Sequence, residues 1–114
     1  MKIDVEIYKD KMILKAEAKT LTVKPKEPYC STRLLVGSFT NAVDCLKQGI
    51  KDIGANRFFS TAPVITIIPK DMIDGGLSEV EQRSFNELGL VAGAREVSIE
   101  GYKSTFNQNV KWIR

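Results

Sequence analysis

Through residue 23 apolar side chains fall mostly at every second position. From Thr40 onward, segments with spacings of three and four alternate with short β-branched runs. A strand turns its side chains over at each residue and a helix every 3.6, so this change of period restricts the fold more than any single motif. In KIDVEIY (2–8), Ile3, Val5 and Ile7 alternate with Lys2, Asp4 and Glu6, the mark of a strand buried on one face. Lys9-Asp10-Lys11 interrupts it. MILKAEA (12–18) then resumes with Leu14, Ala16 and Ala18 against Lys15 and Glu17, as the second arm of a hairpin would. Leu21 and Val23 place the apolar set on odd numbers where Leu14 and Ala16 placed it on even ones, so a bulge or turn is expected near Lys19-Thr20. KPKEPY, with two prolines, breaks regular structure, and TRLLVGSF is a further apolar strand. The third strand of the sheet is 20–24, 32–38, or both.

The longer period begins at Thr40. Ala42, Cys45, Leu46, Gly49, Ile50 and Ile53 recur as one helical stripe, with Asp44, Lys47, Lys51 and Asp52 mostly opposite. Thr40 is the expected N-cap and Gly54 the stop, giving about three turns. APVITIIP (62–69) is nearly continuously apolar and suits a central strand covered on both faces. A loop follows from Asp71 to Gly76. Ser78 with Glu81 has capping-box spacing, Val80, Phe85, Leu88, Val91 and Ala92 supply an inward stripe, Gly93 ends the helix, and REVSIEGY is the last strand. The order is β-β-β-α-β-α-β: an α/β domain with a mixed sheet and two main helices, the order of ribonuclease H-like domains and of the repeated unit of actin-like proteins. The unit occurs once, so residues 1–114 read as a single domain, with 103–114 as an appended tail.

Bulk chemistry narrows the functions. At 43% hydrophobic and 27% charged, 114 residues can bury one core without metal or disulfide staples. No apolar run approaches the ~20 residues of a membrane span. The segment Met1 to Glu6 holds acids where a secretory signal is apolar, so the cytoplasm is expected. The two cysteines make no framework: Cys45 belongs to the helix stripe, and Cys30, after Pro28-Tyr29, is expected near the surface. With no histidine, zinc sites and Ser/His or Cys/His pairs lose their commonest component. The net charge of +3 is mild, and its lysines are interleaved with acids.

Residues 62 to 97 resemble the MreB family of bacterial actins. That family carries a strand ending in proline, a helix reading roughly T-x-V-E-R-R-A, and A-G-A-R-E-V leading into a strand. The counterparts here are Val64-Ile65-Thr66-Ile67-Ile68-Pro69, Glu79-Val80-Glu81-Gln82-Arg83 and Ala92-Gly93-Ala94-Arg95-Glu96-Val97. Ile3-Asp4-Val5 is similar to the family's I-D-L, and Glu27-Pro28 to the E-P after its first hairpin. The resemblance implies an actin-like fold and a nucleotide-binding ancestry, and the departures from it bear on function. Where the family's hairpin supplies a glycine and a threonine to a nucleotide phosphate, this chain has Glu6 and Ile7. A carboxylate repels phosphate, and a Cβ blocks the close approach that glycine permits. The family's I-E-E-P, with its catalytic glutamate, is matched only loosely by Ile99-Glu100-Gly101-Tyr102.

The expectation is therefore a non-catalytic actin-like subdomain without cofactor, metal or nucleotide, acting through a protein partner: an MreB-type filament or another copy of itself. The lengthened loop after Pro69 offers Met72 and Ile73 for such contacts, and the tail offers Phe106 and Trp112, unless each set packs onto its own domain. One alternative is a ribonuclease H-like nuclease, which needs carboxylates converging on Mg²⁺; Asp4, Asp44 and Asp71 are the candidates, each also readable as a solvated charge. The other is a nucleic-acid-binding module using the lysines of the N-terminal hairpin, which equally serve to protect an edge strand.

Overall fold

The structure, a computed structural model, describes residues 2–17, 19–31, 35–54, 62–71 and 78–100. The first hairpin is β1 (Lys2–Tyr8) and β2 (Lys11–Ala16), with Val5 opposite Leu14 and Ile7 opposite Met12. The third strand is β3 (Lys19–Val23), antiparallel to β2, and the described residues 35–38 form no strand. The change of apolar parity needs no bulge. A second tight turn sets even-numbered residues of β2 opposite odd-numbered ones of β3, Met12 against Val23 and Leu14 against Leu21. β2 ends at Ala16, earlier than the alternation through Ala18 suggests, because Glu17 turns the chain with φ +52°.

Helix α1 (Phe39–Asp52) leads to β4 (Val64–Pro69), then α2 (Glu79–Val91) to β5 (Glu96–Ile99). α1 is longer than expected and is capped by Ser38 rather than Thr40: the Ser38 side chain accepts from the Asn41 N–H. Gly54, at φ +88°, ends it as expected. In α2 both capping-box bonds form, from Glu81 N–H to Ser78 Oγ at 3.1 Å and from Ser78 N–H to Glu81 Oε1 at 3.0 Å. Gly93, at φ +119°, lets the next N–H, that of Ala94, reach back to the Gly89 carbonyl at 2.9 Å.

The five strands lie in the order β3-β2-β1-β4-β5, with β1, β4 and β5 parallel. Both crossovers step in the same direction along the sheet, and crossovers share one hand, so both helices belong on one face. α1 packs on β2 and β3, α2 on β4 and β5, and the helices touch each other. Beneath them Ile3, Val5, Ile7, Met12, Leu14, Ile65, Ile67, Leu46, Phe85 and Leu88 form the core.

Two expectations fail here. The described residues do not cover β4 on both faces: Ile65 and Ile67 are fully buried, while Val64, Thr66 and Ile68 are only half-buried on the face away from α1 and α2. Val80 and Val91 do not face inward, being 72% and 48% exposed. The buried stripe of α2 is Phe85, Leu88, Gly89 and Ala92. Among the described residues no helix is long and apolar enough to cross a membrane.

Candidate functional site at the carboxyl edge of the sheet

Open α/β sheets bind ligands outside the carboxyl ends of their parallel strands. Here that edge is built from the end of β1, the turn at Lys9-Asp10 and the end of β4. Lys70 N–H donates to the Ile7 carbonyl at 2.9 Å, prolonging the β1–β4 ladder. Lys9 N–H donates to Asp71 Oδ2 at 2.9 Å, which fastens the residues after β4 to the hairpin turn.

Asp10 occupies that turn at φ +49° and points its carboxylate at the segment after β3. Oδ1 accepts from Tyr29 N–H at 2.8 Å and from Cys30 N–H at 3.0 Å, and the Cys30 thiol lies 3.6 Å from Oδ2. The Cys30 N–H does most to hold this carboxyl below the usual aspartate range, with Tyr29 N–H and the thiol adding to it against the cost of burial. Burial, then the negative charge of Asp10, pushes the Cys30 thiol up. Cys30 is therefore a protonated, half-buried thiol at neutral pH, the opposite of an activated nucleophile.

Tyr29 joins this turn to α1. Its ring is fully buried, and its hydroxyl accepts from Lys11 N–H at 2.8 Å with the Tyr8 and Lys11 carbonyls at 2.6 and 2.7 Å to receive its proton. Burial above all raises its pKa far beyond the ordinary phenol value. The Tyr29 carbonyl accepts from Gly37 N–H at 2.7 Å and Ser38 N–H at 2.8 Å, fixing the residue that caps α1. Asp10 Oδ1, Asp71 Oδ2 and both Tyr29 oxygens at this edge are thus committed to backbone groups.

Glu6 lies one pleat back, on the helix-free face. Its Oε2 is 3.1 Å from Lys15 Nζ, and its Oε1 accepts from the Tyr8 hydroxyl at 3.1 Å. Burial raises its pKa, but Lys15 and Tyr8 outweigh that and leave it below the usual glutamate range. Lys11 Nζ sits 4.7 Å from the centre of the Tyr8 ring. Ile7 is fully buried in the core.

The three acids considered for metal-assisted chemistry are not brought together. Asp4 pairs with Thr66 on the helix-free face. Asp71 lies five residues beyond Thr66 along the chain, roughly 16 Å if that path stays extended. Asp44 is on the exposed side of α1, across the sheet. Among the described residues no three His, Cys, Asp or Glu side chains are placed to hold one metal ion. Met72, Ile73, Phe106 and Trp112 lie outside the described residues.

The Asp10–Tyr29–α1 connection was not foreseen. Its one sequence signal is a tyrosine in a turn-like segment, since a buried phenol must find partners. Scanned against models of known protein families the chain matches none, and a search of curated proteins finds no significant match.

Proposed function

We propose that this chain is a single actin-like, ribonuclease H-like unit without nucleotide chemistry that works by binding another protein, either an MreB-type filament in the cytoplasm or a second copy of itself. The order of elements, three antiparallel strands followed by two parallel crossovers, supports the fold reading. The observation that carries the functional reading is the state of the first hairpin. Where the MreB resemblance asks for a glycine and a hydroxyl facing phosphate, Glu6 is ion-paired to Lys15 and Ile7 is sealed in the core. Binding a phosphate there requires breaking the pair and placing two anions side by side. Asp10 and Asp71, the nearest acids at the carboxyl edge, already hold backbone N–H groups.

Isothermal titration of the chain with Mg-ATP is expected to give no saturable heat. Saturable binding would return the chain to the nucleotide-binding class, and a change of affinity in Glu6→Arg would place it at the hairpin. Chemical cross-linking of the purified chain separates the two partner readings: dimers that form at micromolar concentration favour self-association.

A further inference from the structure

Away from the carboxyl edge, the residues that follow β3 run alongside α1 and leave a groove of about 450 Å³ between them. Its walls carry Lys24 and Lys26 on one side and Lys47 and Lys51 on the other, with Glu27 and Asp44 among them. Lys47 and Lys51 are exposed and one helical turn apart, so they leave the helix from one face with Cβ atoms about 5–6 Å apart. The groove is held open by fixed contacts. Asn41 Nδ2 donates to the Pro28 carbonyl at 2.9 Å, the Tyr29 carbonyl holds the start of α1, and Lys19 Nζ reaches the Ile53 carbonyl at its far end at 3.4 Å.

We propose that this groove is a docking site for an acidic peptide segment of a partner protein. The proposal rests on the protein-binding reading above and names the chemistry of the partner. Four lysines against two carboxylates give a positive trough, which raises the local concentration of an anionic partner and speeds its capture. The mixed sign decides the class of occupant. A nucleic-acid backbone carries one charge per nucleotide and meets Glu27 and Asp44 unfavourably wherever it lies. A peptide places its carboxylates at the lysines and its N–H groups or a lysine at the acids. Among the described residues, the lining offers no aromatic side chain on which a base could stack.

The test is fluorescence anisotropy of the full chain with a dye-labelled twelve-residue peptide of alternating Glu and Ser, in low salt and again near physiological salt. Binding is expected at low salt and weakens as salt screens it. The double variant Lys47→Gln with Lys51→Gln lowers affinity about ten-fold, whereas Lys2→Gln with Lys70→Gln, the same charge change outside the groove, stays within about two-fold. All four lysines are exposed, and far-ultraviolet circular dichroism checks that both variants fold. The proposal is overturned if the peptide does not bind at low salt, if both double variants lose affinity equally, or if a labelled oligothymidine of the same length binds more tightly. A partner protein cross-linked equally by the wild type and by Lys47→Gln/Lys51→Gln would leave the interaction reading standing and remove the groove from it.

Discussion

At the scale of single residues, Tyr29 and Asp10 do the most unexpected work. The Tyr29 hydroxyl is the partner of Lys11 N–H and of a carbonyl in the first hairpin, and its ring fills the space beneath. Tyr29→Phe keeps the ring but strands those backbone groups, so unfolding in urea should show a loss of about 1–3 kcal/mol. Asp10 gives a pH signature. Its folded carboxyl ionises more readily than the ordinary value of 3.8, so its contribution is complete above that value and is lost as pH falls through the lower, folded pKa. Asp10→Asn should therefore be less stable than wild type at pH 7, and the difference should shrink as unfolding is followed into acid below 3.8. If the two stay parallel throughout, the carboxylate is not acting through its charge. The burial of Cys45 could be read from its place in a helical stripe. The Asp10–Tyr29 contact joins residues 19 apart with no periodicity between them, and nothing local predicts it.

At the scale of elements, the ends of α2 were legible because capping is local chemistry: Ser78, Glu81 and Gly93 each act within four residues of themselves. Its inward face was less so. Val80 lies five residues before Phe85, about 140° around the helix, and so falls out of phase with the stripe that Phe85, Leu88 and Ala92 define. Val80→Glu, in the first turn of α2 beside Glu79 and Glu81, should change the melting stability by less than about 0.5 kcal/mol. A core role for Val80 would cost several times more. Gly89 sets how closely α2 approaches β5, since a Cβ there would lie 2.6 Å from Val97 Cγ2. Alanine adds roughly 1 kcal/mol of helix propensity, but the forced displacement costs about 1–3. Gly89→Ala is expected to be destabilised on balance, and Gly89→Ala combined with Val97→Ala to recover part of the loss, both read from thermal unfolding.

At the scale of the whole molecule, both described helices cover the same face of the sheet. Ile67 and Ile68 are adjacent, alike and in the same strand, yet Ile67 is fully buried under the helices and Ile68 lies half-buried on the other side. Ile67→Ala should cost about 2–5 kcal/mol and Ile68→Ala less than half as much. Equal losses in equilibrium unfolding would mean that something covers the second face in solution. The sequence alone settled the alternation of strand and helix, the opening hairpin and the places where α2 begins and ends, because periodicity and caps are set by neighbours along the chain. Which face the helices cover, which apolar positions of β4 stay partly wet, and how Asp10, Tyr29 and the start of α1 meet were decided only by tertiary structure. Those depend on the direction in which each crossover steps along the sheet and on contacts between residues far apart in sequence, and no local pattern carries that information.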